Sequence, residues 1–250
     1  MKRAPKEQAL QDLVREQILE LIGHMDFKYS TRLLSENQIA SKLKVSRSTI
    51  RTVLTELELE GKIIRRHGSG TFVNPAALDV KTTLYPQVNM YDLIKNNNYE
   101  PSWKFLESRK VHSRERALKL NLGPNALVQE VHSIYFANDL PCMYCIDCVD
   151  ANRFRDMDWI RYEQSPGSLY EYIHKTVGVD LTWDIIRIMG AHSDQMPELK
   201  NYFSVPEGEI KPLVLLEILN FDMHNRPSVL GNIYVDFEHI HLNMVRDLHK

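Results

Sequence analysis

The sequence of 250 residues predicts an α+β protein of two domains, a winged helix-turn-helix in residues 1–75 and a domain with a mixed or antiparallel sheet in residues 84–250. Three observations predict this architecture. Three helical patterns followed by a short, basic hairpin pattern begin the chain. Beyond them, one pattern of a helix and a hairpin occurs twice. The net charge of −2 divides into +4 for residues 1–75 and −6 for the remainder, so the N-terminal domain is the one suited to an anionic partner.

Apolar spacing and capping residues predict the three helices. The first covers residues 7–24, and Ser35 with Gln38 forms a capping box for a second, short helix. Ser46 is the N-cap of the third helix, and Gly61 stands in the C′ position, where a left-handed glycine commonly ends a helix. The first helix is expected to bury one apolar stripe, made of Leu10, Leu13, Val14, Ile18, Leu21 and Ile22.

A glycine-rich hairpin is predicted after the third helix. Residues 62–73, KIIRRHGSGTFV, contain two short β patterns joined by a turn. Three helices followed by such a basic two-stranded wing form a winged helix-turn-helix. Residues 74–83 contain a proline and have no apolar periodicity, so we expect residues 76–83 to be the linker between the domains.

The charges on the third helix oppose its dipole. Arg47 and Arg51 occupy its first turns, while Glu56, Glu58 and Glu60 lie near its end. Each such charge costs roughly 0.3–1 kcal/mol at an exposed site. An anionic partner bound at the N-terminus of this helix would explain the arrangement. Ion pairs that fix both arginines within the chain, or arginines turned away from any surface that a duplex could reach, would overturn that explanation and the DNA-binding function with it.

The start of the third helix carries side chains suited to DNA. Arginine side chains can bind guanine in the major groove, and hydroxyl groups near a helix N-terminus can bind phosphates. In the hairpin, His67 follows two arginines and precedes Gly68, whose missing side chain permits close approach to DNA. Any one of these residues alone is better explained as solvated surface, but the combination in this order favours DNA binding. The helix candidates are Ser46, Arg47, Ser48, Thr49 and Arg51.

Nearly all of residues 7–73 resembles the DNA-binding domain of the GntR superfamily of bacterial transcription regulators. The resemblance implies that Arg47 and Arg51 contact bases, and that the hydroxyl residues at the helix start hold phosphates. It also implies that His67 and Gly68 enter the minor groove. The matching stretches are residues 32–36 (RLLSE), 45–51 (VSRSTIR), 57–61 (LELEG) and 68–73 (GSGTFV).

Two positions depart from the family pattern. Leu34 stands where the family usually has proline, and Asn37 stands where many members have an arginine that contacts a base or a phosphate. The second departure leaves the operator sequence open, but not DNA binding itself. The full set of predicted DNA-binding residues is Ser35, Asn37, Ser46, Arg47, Ser48, Thr49, Arg51, His67 and Gly68.

A repeated pattern predicts the sheet of the C-terminal domain. Residues 118–150 and 199–236 each contain a short helix, a turn with glycine, a long apolar strand, a polar turn with proline and a returning strand. Two such halves would pair into one antiparallel sheet with helices against it. Between the halves we expect a helix from Ser168 and a strand over residues 181–191.

This domain looks like the UTRA effector-binding domain of the HutC-type subfamily, which has the chorismate-lyase fold. The doubled helix and hairpin carry the resemblance, together with the motifs NDLP (138–141), SLYE (168–171) and VPEG (205–208). It implies that a small-molecule effector, a sugar derivative or another metabolite, binds there and contacts Ser168, Tyr170 and Tyr234. For both tyrosines, a core or interface position with a satisfied hydroxyl is an open alternative.

The expected phosphate ligands of this subfamily are missing. Members that bind sugar phosphates tend to carry an Arg-x-Arg pair on the first hairpin strand and a glutamate on the returning strand. Alignment through Asn138 places Ser133, Tyr135 and Cys145 at those positions. Arginine is the side chain that phosphate recognition favours. We therefore expect a less anionic effector, or a phosphate held by other groups.

The three cysteines lie close together in residues 142–148, CMYCIDC. This segment is predicted to be a strand, whose period of two puts Cys145 on the face opposite Cys142 and Cys148. A structural zinc site usually needs four converging ligands, so we expect buried cysteines, no metal and no cofactor. An odd number of free thiols favours the cytoplasm. No apolar run approaches the roughly 18–20 residues of a membrane span.

Together these features predict a homodimeric transcription regulator, a repressor, whose two recognition helices bind the half-sites of a palindromic operator in double-stranded DNA. Binding of the effector would change the operator affinity. The main alternative is an enzyme on the chorismate-lyase-like domain; it is not expected, because His192, His239 and His241 have no evident carboxylate partner. A basic protein without sequence preference is the other alternative, against which the acidic C-terminal domain argues.

Overall fold

The computed structural model describes residues 5–66, 68–78, 89–163 and 169–243. The chain divides into two units, Met1–Val88 with Leu242–Lys250, and Asn89–His241. Among the described residues, no helix combines the length and the apolar composition needed to cross a membrane.

The first unit is a helical domain that ends in a hairpin. The capping box is present, since the Gln38 amide donates to Ser35 Oγ (3.4 Å) and the Ser35 amide donates to Gln38 Oε1 (2.9 Å). Gly61 has a φ of 72°, the left-handed conformation expected at C′. A short helix, α4, covers the start of the predicted linker, whose residues 79–83 lie outside the described part of the chain. The element bounds are α1 Pro5–Gly23, α2 Glu36–Leu43, α3 Arg47–Leu59, β1 Ile63–Arg66, β2 Gly70–Val73 and α4 Pro75–Leu78.

The core of the first unit lies between α1, α2 and α3. Its buried side chains include Ile18, Ile39 and Leu54, and each contributes about 1.5–3 kcal/mol by burial. Leu10 and Leu13 of the predicted stripe are instead 41% and 51% exposed. The buried face of α1 follows positions 11, 14, 18 and 22, which leaves those two leucines at its margin.

The wing is tied to the segment that precedes α2. Strands β1 and β2 pair antiparallel, with Ile63 opposite Val73. The Leu33 amide donates to the Thr71 carbonyl (2.8 Å), and the Val73 amide donates to the Thr31 carbonyl (2.7 Å). These backbone bonds place the wing and the start of α2 on the same side of the unit.

The second unit contains one sheet of six strands in the order β3-β4-β5-β8-β7-β6, in which neighbouring strands pair antiparallel. The α+β fold and the antiparallel sheet are therefore confirmed. The bounds are α5 Met90–Asn96, β3 Pro101–His112, α6 Arg114–Lys119, β4 Leu127–Ala137, β5 Leu140–Asp150, α7 Trp159–Glu163, α8 Leu169–Val177, β6 Leu181–His192, α9 Pro197–Tyr202, β7 Pro212–Asp222 and β8 Pro227–Val235.

The internal repeat is confirmed and is larger than predicted. Each half consists of a strand, a helix and a hairpin, β3-α6-β4-β5 and β6-α9-β7-β8, and the halves meet where β5 pairs with β8. The sequence pattern did not predict β3. This strand lies at the edge of the sheet, where it exposes charged side chains and leaves its apolar side chains only half-buried.

The two faces of the sheet are covered by different helices. On one face, which we call the α6/α9 face, Tyr144, Ile146 and Cys148 pack with residues of α6 and α9. On the opposite face, the α8 face, Val131 and Val149 pack with residues of α7 and α8. Directly paired residues of neighbouring strands lie on the same face of the sheet. The strand registers therefore assign each remaining sheet residue to the α6/α9 face or to the α8 face.

The cysteines occupy β5 as predicted. Cys142, Cys145 and Cys148 are buried and free, and the alternation of the strand places Cys145 on the α8 face and the other two on the α6/α9 face. Burial raises the pKa of Cys142 and of Cys148 to about 12. Within the described residues, no group of three or more side chains is arranged to hold a metal ion.

Candidate DNA interface and effector site

A groove of about 1130 Å³ opens beside the N-terminus of α3. Its described lining contains five arginines and a single glutamate, so it is strongly cationic. It brings together residues from the α2 start, the α3 start and the wing, which are distant in sequence. The predicted DNA-binding residues in its lining are Ser35, Asn37, Arg47, Arg51 and Gly68.

Glu36, the first residue of α2, holds the arginines of this groove. Its carboxylate lies 3.0 Å from Arg47 Nε, 3.4 Å from Arg51 Nε and 4.0 Å from Arg65 Nη2. Partial burial by itself raises the pKa of Glu36, but the hydrogen bonds from Arg47 and Arg51 outweigh burial and lower the pKa. Glu36 is therefore ionised, and it aligns three guanidinium groups at the mouth of the groove.

Both arginines form ion pairs within the chain, which is the condition stated above for rejecting DNA binding. That condition is too strict, because both side chains stay accessible. Arg47 and Arg51 are 59% and 62% exposed, and each is bound to Glu36 through Nε. Exposed ion pairs contribute about 0–1 kcal/mol, so an anion of DNA can replace Glu36 at little cost. Pairing within the chain positions these arginines without removing them from a DNA-accessible surface.

The hydroxyl residues at the start of α3 form a local network. Ser46 Oγ accepts the Thr49 amide (3.1 Å) and lies 2.7 Å from Ser48 Oγ and 2.8 Å from Thr49 Oγ1. Ser46 therefore acts as the predicted N-cap. Ser46 and Ser48 are exposed at the positive end of the helix dipole, although neither they nor Thr49 are among the described residues that line the groove.

The far end of α3 has structural partners for its glutamates. Glu60 is 8% exposed and forms a two-point ion pair with Arg15 of α1 (2.7 and 2.8 Å) and a third contact with Lys62 (2.8 Å). Burial raises the pKa of Glu60, and the contacts with Arg15 and Lys62 more than reverse this, so the pKa is lowered. The reversed charge pattern at the end of α3 thus has a partly structural cause, since Glu60 binds both Arg15 of α1 and Lys62, the residue before β1.

The wing contributes a glycine turn and further arginines. Gly68 is exposed with a φ of 71°, while His67 lies outside the described residues. Gly70 has a φ of 115°, and a Cβ there would lie 3.3 Å from Arg32 Nε. Arg32 and Arg65 line the groove but were absent from the predicted set. Arg32 belongs to the RLLSE stretch that carried the family resemblance, which could have identified it.

In the second unit, the structure separates the predicted effector contacts. Tyr234 pairs with Tyr144 across β5 and β8 and belongs to the α6/α9 face. Tyr170 belongs to the cluster on the α8 face, where its hydroxyl accepts a hydrogen bond from Asn220 Nδ2 (3.0 Å). Ser168 lies outside the described residues. One pocket cannot contain both tyrosines, because the sheet lies between them.

The residues that replace the expected phosphate ligands share the α8 face with Tyr170. Ser133 on β4 is directly paired with Cys145 on β5, and both are 3% exposed. Tyr135 follows on the same face, is 8% exposed and meets the ring of Tyr91 edge-on at 5.8 Å. This region of the sheet is polar but offers no cation to a phosphate.

His239 has a carboxylate partner, contrary to the sequence-based expectation, and the buried His132 of the second unit has one as well. His239 Nδ1 lies 3.0 Å from Asp236 Oδ2. On the α6/α9 face, His132 lies 3.1 Å from Glu130 and 2.8 Å from the Tyr144 hydroxyl. Burial, assisted by nearby Arg109, lowers the pKa of His132 to about 4, so its ring is neutral. His132 and Glu130 are each 1% exposed, which closes this group to a substrate.

Relatives with known names share both units of the chain. Residues 10–73 match the gntR family of bacterial regulatory proteins, and residues 96–241 match the UTRA domain. The "probable fructoselysine utilization operon transcriptional repressor" of Escherichia coli (strain K12) is 24% identical, over 97% of this chain and 96% of that protein. The histidine utilization repressor of Pseudomonas putida is 28% identical over 51% of each chain.

Solved structures share the fold. YydK from Bacillus subtilis superposes with a TM-score of 0.70 at 17% identity, over 95% of this chain and 99% of that one. PhnF from Mycobacterium smegmatis gives a TM-score of 0.56 at 18% identity, over 94% and 99% of the two chains. With its cationic helix-turn-helix groove and its doubled sheet domain, the chain belongs to the UTRA-domain family and carries an N-terminal gntR-family domain, which makes it a GntR/UTRA, HutC-like transcription regulator that binds DNA and has an effector-binding domain.

Proposed function

We propose that this regulator is a repressor that binds a palindromic operator as a homodimer and changes its operator affinity when a small metabolite occupies the α8 face. The observation that carries the DNA-binding part is the arginine groove at the start of α3. Repression is proposed because relatives over nearly the whole chain are named as repressors.

The groove supports a specific mode of DNA binding. The start of α3 would enter the major groove, with Arg47 and Arg51 at base edges and Ser48 and Thr49 at phosphates. Gly68 on the wing would approach the neighbouring minor groove. Glu36 would exchange its arginine contacts for guanine or phosphate oxygens, because the pairs it forms are exposed and weak.

The α8 face supports the effector site. Tyr170, which has a hydrogen-bonding hydroxyl on this face, stays a proposed contact, and so does Ser168 from the sequence motif. Tyr234 is withdrawn from the site, because it lies on the α6/α9 face. We assign sensing, and no catalysis, to this unit.

The two edges of the sheet differ in a way that supports one dimer interface. Edge strand β3 exposes charged side chains such as Lys104 and Lys110, which oppose pairing with another strand. Edge strand β6 exposes Trp183, Ile185 and Ile188 at 44%, 50% and 52%. We propose that two copies associate through β6, so that the dimer has two α3 helices for two half-sites about 34–36 Å apart.

Such a protein would act in the cytoplasm, where its operator is.

A mobility-shift titration tests the DNA-binding proposal. The probe is a palindromic fragment from the promoter region next to the coding gene, and a scrambled fragment serves for comparison. Arg51→Ala is expected to weaken operator binding by about 1–3 kcal/mol. The matched control is Arg155→Ala, an arginine of the second unit that is 75% exposed. Equal affinity for the scrambled fragment, or equal loss in both variants, would contradict the proposed function.

A further inference from the structure

A carboxylate without a partner lies on the α8 face, in the middle of the sheet. Asp147 of β5 is directly paired with Val131 on β4 and with Gly231 on β8. No described residue donates a hydrogen bond to its carboxylate or forms an ion pair with it. Although protein surrounds it, the side chain keeps partial solvent access. Solvent therefore reaches part of the space around the Asp147 side chain.

Gly231 contributes to that space. It occupies the interior of β8 directly opposite Asp147, and a Cβ at this position would lie 3.0 Å from Asp147 Oδ1. Glycine weakens the interior of a strand and often marks a place where a ligand approaches closely. Among the described pairs of β5 and β8, Asp147 is the only carboxylate, and Gly231 lies directly beside it. The missing side chain therefore leaves room for a ligand next to the carboxylate.

Aromatic side chains surround the same space. The Asp147 carboxylate lies close enough to the hydroxyls of Tyr162 and Tyr170 to raise their pKa values, which burial has already raised. Tyr162 packs edge-on against Trp103 with ring centroids 5.4 Å apart and against Phe105 at 6.2 Å. The rings thus extend from the carboxylate toward the β3 edge. A carboxylate bordered by aromatic rings is an arrangement that binds organic cations.

The charge on this face is unbalanced. Asp184 of β6 is a second carboxylate that acts on Tyr170 and has no ion pair with any described residue. The described titratable groups near Asp147 on this face are Cys145, Tyr135, Tyr162 and Tyr170, whose pKa values are all raised, so they are neutral at pH 7. The segment between α7 and α8, residues 164–168, is QSPGS and supplies no cationic side chain. Neither carboxylate therefore has a cationic partner among the described residues, and a bound ligand can supply one.

A donor without an acceptor completes the site. Trp103 Nε1 is buried and has no hydrogen-bond partner among the described residues. Buried indole N–H groups normally find an acceptor. Since the Trp103 ring contacts Tyr162, this donor lies on the same aromatic path as Asp147. A ligand with a hydroxyl or carbonyl oxygen would satisfy it.

We propose that the effector is a small organic amine, whose ammonium group binds Asp147, whose carbon skeleton packs on Tyr162 and Trp103, and whose oxygen accepts from Trp103 Nε1. This inference rests on the proposed effector function of the second unit and names its ligand class. It also accounts for the missing phosphate ligands, because Asp147 and Asp184 would repel a phosphate. The contact between ammonium and carboxylate is a charge-assisted hydrogen bond, which dominates selectivity in a partly dry site.

Matched pairs of probes test the inference on the full-length protein. The pairs are glucosamine against glucose and 5-aminopentan-1-ol against pentane-1,5-diol, which differ in an amino group, with glucose 6-phosphate as the anionic probe. Binding is measured by calorimetry and by tryptophan fluorescence. At least one amine should bind about tenfold to a hundredfold more tightly than its neutral partner, and acidification below pH 7 should weaken it. Asp147→Asn should abolish the preference, and Asp139→Asn, on the exposed β4–β5 turn, should retain it.

A second variant guards against a folding artefact. Gly231→Ala places a methyl group against Asp147 Oδ1 and should weaken amine binding while the variant still unfolds cooperatively. Failure of every amine to bind, tighter binding of glucose 6-phosphate, or an unchanged preference in Asp147→Asn would each overturn the inference. The same samples are tested for operator binding. If the amine inference fails but the wild type still binds the operator, the DNA-binding proposal stands. If the wild type does not bind the operator, the proposed function itself is refuted.

Discussion

Replacing Asp147 by asparagine is expected to stabilise the second unit at pH 8 and to leave its stability nearly unchanged at pH 4. Asparagine has the shape of aspartate without its charge. Burial raises the pKa of Asp147 from the ordinary 3.8 to about 7. Between these values the folded chain holds a proton that the unfolded chain has released, so wild-type stability falls as the pH rises from about 4 to 7.

The magnitude follows from that pKa. A tenfold change in acidity corresponds to about 1.4 kcal/mol, so ionised Asp147 destabilises the folded chain above pH 7 by about 4 kcal/mol. Partial solvent access to the carboxylate lowers this value, and we expect a gain of about 2–4 kcal/mol for the variant at pH 8. The pKa of Asp184 is also raised by burial, but Asp184 is present in both proteins and cancels in the comparison.

Tryptophan fluorescence in a urea titration isolates the second unit. The chain has three tryptophans, Trp103, Trp159 and Trp183, and all belong to that unit. Asp139→Asn is the control, because Asp139 is exposed and has a φ of 67°, a conformation that asparagine tolerates. A loss of stability in Asp147→Asn at pH 8, or an equal difference from wild type at both pH values, would refute the assignment of Asp147 as an unpaired, buried carboxylate.

Three further predictions concern the first unit and the proposed interface. Glu36→Gln should tighten operator binding by about 0.5–1 kcal/mol, since it removes the anion that competes for the groove arginines; unchanged binding in a mobility-shift titration would contradict this. Glu60→Gln should destabilise the first unit by about 3 kcal/mol in circular-dichroism melts, and the exposed Glu16→Gln should not. Ile188→Lys should yield monomers in light scattering, and Ser102→Lys on the opposite edge should not; a dimeric Ile188→Lys would exclude the β6 interface.

Most of the first unit could be predicted because its determinants are local. Ser35 and Ser46 cap their helices through amides only three residues away, and Gly61 ends α3 by its own φ. The role of Glu36 could not be predicted in the same way. Its partners Arg47 and Arg51 lie 11 and 15 residues further on, and only the packing of α2 on α3 brings them within reach.

The second unit was predicted less completely for a physical reason. The repeat of helix and hairpin is visible in the sequence, because each hairpin is local. Edge strand β3 was not predicted, because it pairs with β4 only across the intervening helix α6. The face of Tyr234 depends on register, and a shift of one residue moves a side chain to the opposite side of a sheet. The sequence did not indicate a role for Asp147, which lies between Cys145 and Cys148. That no described residue pairs with its carboxylate depends on side chains from neighbouring strands and helices, which the local sequence does not show.

The sequence by itself determined which helices and hairpins form, that the chain joins a basic helix-turn-helix to a doubled sheet domain, and that the first of these binds DNA. Such properties depend on caps, turns and periodicity within a few residues of each other. Only the tertiary structure decided that Glu36 gathers the arginines, that Tyr170 and Tyr234 lie on opposite faces, and that Asp147 and Trp103 Nε1 have no partner among the described residues. Those facts depend on contacts between distant segments, which no local pattern encodes.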